Sequence, residues 1–189
     1  MTKRVFIIHG WGGSPECNWF PWLKKELEAR GFEVHSLEMP NIDFPVINEW
    51  VSALKKEVGK PDKETYFIGH SIGCQTIMRY LQDINVKVGG VLFVAGFVNS
   101  NHDLLADLST EEKKIIEPWL TTPIYFDKVK RSANKIVSIF SDDDPFVPLD
   151  DNKIFKDKLN SKIIILKHKG HILDFVCEPI LEEFLKLAE

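Results

Sequence analysis

Residues 66–81 read YFIGHSIGCQTIMRYL, and this stretch decides the fold. Tyr66-Phe67-Ile68, preceded by Thr65, is a short apolar run of strand type, and Ile72 to Leu81 has the spacing and length of a helix. Between them stands Gly69-His70-Ser71-Ile72-Gly73, a G-x-S-x-G pentapeptide at a strand-to-helix turn. Such a turn forces the serine into a strained backbone conformation, so the residues two before and two after it must be small. Its hydroxyl is then lifted off the edge of a sheet, where the helix amino terminus favours developing negative charge. The competing reading, an ordinary turn in which Ser71 caps the helix, fits this context less well.

Working outward, short apolar runs alternate with helical patterns. Val5 to Ile8 reads as a first strand. Trp19 to Arg30 reads as a helix, with Trp19, Trp22, Leu23 and Leu27 on one face and Gly31 at its end. Phe32 to Leu37 is a second strand, followed by a Pro40/Pro45 loop and a helix over Val46 to Val58. Thr65 to Ile68 is the third strand, Val91 to Ala95 the fourth, Lys135 to Phe140 the fifth and Lys162 to Leu166 the sixth. Helices at about 149–159 and 177–188 follow the last two. Strands this uniformly apolar are expected where helices cover both faces of a parallel sheet. The expectation is one α/β doubly wound domain over residues 1–189, with a mostly parallel six-stranded sheet of order 2-1-3-4-5-6. Its switch point then falls between the first and third strands, whose carboxyl-terminal loops are His9–Gly13 and Gly69–Gly73. Ligands bind at that place in open α/β sheets.

Composition bounds the alternatives. The chain has 189 residues, 24 Lys+Arg against 28 Asp+Glu, 44% hydrophobic residues and 28% charged ones. These values are ordinary for a globular protein and exclude disordered and fibrous classes. A formal charge of −4 gives no electrostatic reason to expect nucleic acid or an anionic membrane as partner. The three cysteines, Cys17, Cys74 and Cys177, match neither a disulfide framework nor a zinc site, which points to a reducing compartment. Cys74, on the elbow helix, and Trp50 read as packing residues. The apolar run after the basic amino terminus is too short for a signal peptide, and Gly89 to Val98 spans only about half a membrane. A soluble cytoplasmic protein is expected.

One segment breaks the rhythm. Phe97 to Asn134 is far longer than an ordinary connection, and it holds a capping-box pattern, Ser109-x-x-Glu112, ahead of Ile115, Ile116 and Trp119. It is either an extra crossover helix with surface loops or a small lid, placed at 98–134, over a pocket on the carboxyl edge of the sheet.

A serine hydroxyl is a poor nucleophile near neutral pH and needs a base within reach. Where a nucleophile elbow is used, the order along the chain is Ser, then Asp or Glu, then His. Ser141-Asp142-Asp143-Asp144-Pro145-Phe146-Val147-Pro148 follows the fifth strand and Lys169-Gly170-His171 the sixth, so both loops emerge at the edge that carries Ser71. His171 is the preferred base over His168, which lies closer to the strand end and lacks a preceding glycine. Asp144 is the preferred acid because Pro145 fixes the backbone after it and Phe146-Val147-Pro148 would bury its surroundings. Asp142 and Asp143 read as turn or solvent-facing carboxylates. A calcium loop lacks the Gly and the bidentate Glu at the required spacing. The backbone N–H groups of Trp11 and Ile72 are the expected oxyanion donors. A phosphate cradle at His9–Gly13 fits neither G-x-G-x-x-G nor G-x-x-x-x-G-K-[ST]. Trp11, Trp19, Trp119 and Phe146 are candidates for an apolar substrate pocket.

These residues resemble the small serine-hydrolase family of α/β-hydrolases, the retinoblastoma-binding protein 9-like group and its bacterial relatives. The matching stretches are VFIIHGWGGSPECNWFPWLKKELEARGFEV at 5–34, MPN at 39–41, Trp50, YFIGHSIGCQTIMRYL at 66–81, VAGF at 94–97, SDDDPFVP at 141–148 and HKGHI at 168–172. The resemblance implies a compact α/β-hydrolase and a Ser71–Asp144–His171 triad, with Asn18-Trp19 and Trp22 near the site. It implies hydrolysis of small carboxylic esters through an acyl-enzyme, with thioester, amide or acyl-transfer chemistry on the same triad, or a non-catalytic binding role, as alternatives. No metal or organic cofactor is implied, and the partner is a small-molecule ester or acyl substrate. The L-x-C-x-E motif for a retinoblastoma-type partner is absent from the chain, so that partner is not expected.

Overall fold

The structure is a computed structural model that describes residues 2–99 and 108–189. Six strands form one sheet: β1 (Arg4–Ile8), β2 (Glu33–Leu37), β3 (Thr65–His70), β4 (Val88–Val94), β5 (Ala133–Ser141) and β6 (Lys162–Leu166). Their order is β2-β1-β3-β4-β5-β6, and all five pairings are parallel rather than most of them. β1 lies between β2 and β3, with Ile8 opposite both Leu37 and Gly69. The chain reverses direction across the sheet at that strand, and the loops after β1 and β3 come together at its carboxyl edge.

Among the described residues the helices are α1 (Phe20–Glu28), α2 (Ile47–Val58), α3 (Ile72–Gln82), α4 (Thr110–Thr121), α5 (Phe126–Arg131), α6 (Asp151–Leu159) and α7 (Glu178–Ala188). Alternate residues of each strand point to opposite faces. Val5, Ile7, Ile68, Leu92 and Ile139 pack against Leu23 and Leu27 of α1 and Ile180 and Phe184 of α7. Phe6, Ile8, Phe67, Val91 and Phe93 meet α2 and α3 through Trp50, Leu54, Ile77 and Leu81. Each such fully buried side chain contributes roughly 1.5–3 kcal/mol. None of the described helices is long and apolar enough to cross a membrane.

The structure adjusts several boundaries. β4 runs from Val88 to Val94 rather than from Val91 to Ala95, and so takes in Gly89 and Gly90, although glycine is a poor strand former. Gly90 nevertheless pairs with both Tyr66 and Lys135. β3 runs on through Gly69 to His70. Among its described residues the long connection holds two helices, α4 and the unanticipated short α5. In α4 the capping box forms: Ser109 Oγ accepts the Glu112 amide at 3.1 Å, and Glu112 accepts the Ser109 amide at 2.8 Å. Residues 100–107 of the expected lid lie outside the described residues.

Candidate active site

The turn from β3 into α3 places Ser71 at φ 53 and ψ −121, a conformation that non-glycine residues rarely adopt. The cap reading fails here, because the Ser71 side chain makes no capping hydrogen bond. Backbone bonds fix the turn: the Ser71 amide donates to Val94 at 3.0 Å, and the Ser71 carbonyl accepts from Cys74 at 3.0 Å. The glycines are sterically required. A Cβ on Gly73 would stand 2.4 Å from the Ile8 carbonyl oxygen, and one on Gly69 would stand 2.9 Å from the Cys74 backbone.

His171 Nδ1 donates to Asp144, at 2.8 Å to Oδ2 and 3.1 Å to Oδ1. The acid side chain is 2% exposed and the imidazole 10%, so the pair is screened from water. The loop after β5 wraps the carboxylate, whose Oδ1 also accepts the amides of Phe146 and Val147 at 2.8 and 3.1 Å. With Nδ1 protonated toward Asp144, Nε2 of the neutral ring carries the free lone pair. His168, the competitor, is exposed and stands 3.9 Å from Asp143.

Two other histidines shape the site. His70 is fully buried, and its Nε2 donates to the His171 carbonyl at 2.9 Å. Burial above all, then the nearby His171 and His9, pull its pKa down to about 3, so the ring stays neutral. His9 donates from Nδ1 to the Gly10 carbonyl at 2.7 Å and accepts the Met39 amide at Nε2 at 3.1 Å. Burial lowers its pKa too, against the opposing pull of the Gly10 carbonyl and Glu38. His9 thereby holds the loop after β1, which is pinned further by Gly12 N–H to Ile42 (3.0 Å), Gly13 N–H to Gly10 (3.1 Å) and the Trp11 indole to Asp43 (3.0 Å).

Ser71, His171 and the Gly10–Gly13 loop share one cavity of about 430 Å³. Its wall is mainly apolar: Trp11, Phe20, Phe97, Leu108, Ile116, Phe146, Val147 and Leu173, with Asn18 and Glu112 as further polar members. Phe146, singled out in the sequence, stands with its ring 5.0 Å from that of His171. Trp19 and Trp119 are corrections. Both are buried off the cavity wall, because each indole N–H finds a backbone carbonyl in the core: Trp19 that of Ile172 and Trp119 that of Pro45, both at 3.0 Å. Leu108, Glu112 and Ile116 are further wall residues that the sequence reading does not single out for the pocket; Glu112 and Ile116 share one face of α4 by their four-residue spacing, and Leu108 precedes its cap.

Asp142, Asp143 and His168 bring potential metal-ligating atoms within 4.8 Å of one another. All three are exposed, and the two carboxylates are engaged in hydrogen bonds to the His171 loop, so the donor set is that of a turn rather than a metal cage. The three cysteines are free. Cys74 donates to the Gly69 carbonyl at 3.1 Å, and burial pushes its thiol pKa up, so it is packing and not a second nucleophile.

Comparison with known proteins gives a consistent picture. A model of the serine hydrolase family matches residues 5–175. The chain is 32% identical over 190 residues to the YdeN hydrolase of Bacillus subtilis (strain 168), covering 98% of this chain and 95% of that protein. The crystal structure of the ydeN gene product superposes with a TM-score of 0.88 over 98% of each chain. Serine hydrolase RBBP9 of Rattus norvegicus is 27% identical over 172 residues, covering 90% of this chain and 87% of that one. A structure from work on carboxylesterases of Nitrososphaera gargenis shares the fold at 17% identity and a TM-score of 0.72, covering 99% of this chain and 91% of that one.

Proposed function

The chain belongs to the serine hydrolase family and is a hydrolase, and on that premise we propose that it cleaves small carboxylic esters through an acyl-enzyme on Ser71. The observation that carries this reading is the buried Asp144–His171 pair opening, with the strained Ser71, into a mainly apolar cavity.

In the first half-reaction His171 Nε2 takes the Ser71 hydroxyl proton as Oγ attacks the ester carbonyl carbon. The carbonyl oxygen becomes an oxyanion held by the backbone N–H groups of Trp11 and Ile72, each donor contributing about 3 kcal/mol in sites of this kind. The Ile72 amide belongs to the first turn of α3, where N–H groups lack helical partners. Asp144 fixes the tautomer and stabilises the imidazolium, which then protonates the departing alkoxide. Water enters, gives its proton to His171 and attacks the acyl carbon, and collapse releases the acid and restores Ser71. Every step uses side chains and amides of this chain. Leu108, Glu112 and Ile116, all from the long connection, supply part of the cover, since they stand on the cavity wall.

The test compares p-nitrophenyl acetate, butyrate and octanoate with the matching thioester and anilide. The ester reading predicts that esters are cleaved fastest and that Ser71→Ala abolishes turnover while the circular-dichroism spectrum is retained. Turnover surviving in Ser71→Ala would contradict it.

A further inference from the structure

Four consecutive residues at the end of β5 each hold a different residue of the loop that carries His171. Ser141 Oγ accepts the Lys169 amide at 3.0 Å, and Asp142 accepts the His168 amide at 2.9 Å. Asp143 accepts the Gly170 amide at 2.8 Å, and Asp144 accepts the His171 ring N–H at 2.8 Å. Ser141 donates its own proton to Asp143 at 2.7 Å, which joins the first and third contacts into one unit. Two carbonyls of the loop are held as well, that of His171 by His70 and that of Ile172 by Trp19.

The loop needs such support. His168, Gly170 and Ile172 have φ values of 54, 50 and 56. For a β-branched residue such as Ile172 that backbone is an outlier, and strained segments persist only where the surroundings over-determine them. A base must also be presented to its nucleophile within a fraction of an ångström.

We propose that Ser141, Asp142 and Asp143 are positioning residues for the base, gripping the amides of residues 168–170 so that the His171 imidazole is presented to Ser71 with Asp144 behind it. This rests on the reading of Ser71, His171 and Asp144 as the reacting triad. The three residues act through the loop and not through the reacting atoms. The Ser141 hydroxyl, and then the Gly170 amide, hold the Asp143 carboxyl below the usual carboxylate range, which keeps the acceptor ionised.

The test uses Ser141→Ala, Asp142→Ala and Asp143→Ala beside Asp142→Asn and Asp143→Asn, which keep an acceptor oxygen. Two quantities are read: kcat and KM on p-nitrophenyl acetate, and the low-field proton NMR signal of His171 Nδ1–H, assigned by its loss in His171→Gln. The expected result for the Ala variants is a kcat lowered about 10- to 100-fold with KM nearly unchanged, and a shifted or broadened low-field signal. The Asn variants recover most of both. Ser141→Ala leaves the two carboxylates in place and covers the case in which an Asp→Ala chain fails to fold. A folded Ala variant with wild-type kcat and an unchanged signal would overturn the proposal, and so would Asn variants as impaired as Ala. If the wild type cleaves no ester yet the low-field signal still responds to the Ala substitutions, the positioning role stands and the ester reading falls.

Discussion

His70 donates from Nε2 to the backbone carbonyl of His171 at 2.9 Å, and the two rings meet at a centroid distance of 4.8 Å. The second residue of the G-x-S-x-G motif is thus a brace under the backbone of His171, the proposed base. It performs that task as a neutral ring, with its pKa drawn from 6.5 to about 3, chiefly by burial.

A pH dependence of stability follows. The folded value lies below the unfolded one, so as pH falls the unfolded chain binds the proton first. His70 costs the fold nothing above about pH 6.5 and progressively more from there down to about 3, with a slope of up to about 1.4 kcal/mol per pH unit. His9, also lowered by burial, acts with the same sign, and Asp151, whose carboxyl burial raises, acts with the opposite one. Between pH 7 and 5 the His70→Gln variant, which keeps an N–H donor, should lose about 2 kcal/mol less unfolding free energy than the wild type. Urea titrations at the two pH values measure this, and equal losses would refute it.

The three adjacent aspartates should separate sharply on amidation. In the proposed mechanism Asp144→Asn removes the charge that stabilises the imidazolium and disturbs its tautomer, and should lower kcat about 10³- to 10⁴-fold. Asp142→Asn and Asp143→Asn keep an acceptor for the loop amides and should cost far less. Steady-state kinetics on one ester decide it. Equal losses across the three would place the acid elsewhere.

The elbow should answer to substitution with opposite signs at neighbouring positions. Ser71→Gly relieves a positive φ of 53 and should raise stability by about 1 kcal/mol while removing the proposed nucleophile. Gly73→Ala drives a methyl against the Ile8 and His9 carbonyl oxygens, backbone that has nowhere to move, and should cost about 3 kcal/mol. Thermal unfolding of the two variants beside the wild type reads both signs.

Arg79 anchors the helix that walls the cavity. It is buried in α3 and donates to the carbonyls of Trp119 (3.2 Å), Thr122 (2.9 Å) and Pro123 (3.3 Å) at the carboxyl end of α4, and to Gln75 (3.0 Å). A cation there meets the negative end of the helix dipole. Arg79→Met should destabilise the protein by about 2 kcal/mol and raise KM more than it lowers kcat, because the opposite end of α4 carries Glu112 and Ile116 on the cavity wall. Denaturant unfolding and steady-state kinetics test the two parts separately.

Much of this was legible in the chain because the relevant signals are local. Val5–Ile8 and Tyr66–Ile68 are too uniformly apolar for anything but strands covered on both faces. Once those strands are parallel, the loops ending in Ser71, Asp144 and His171 must share an edge. Other features depend on contacts that no spacing encodes. Trp11, Trp19 and Trp119 look alike in the sequence, yet only Trp11 reaches the cavity, while the indoles of the other two turn to carbonyls of Ile172 and Pro45. Asp142 and Asp143 resemble solvated turn residues, and their partners, His168 and Gly170, lie 26 and 27 residues further on. Gly90, a poor strand former by itself, joins β4 because it pairs with Tyr66 on one side and Lys135 on the other.

The central claim, an activated serine at the elbow, is tested most directly by fluorophosphonate labelling of the wild type and Ser71→Ala, read by intact mass. The account predicts one adduct on the wild type and none on the variant. No adduct on folded wild-type protein, or equal labelling of both, would contradict it.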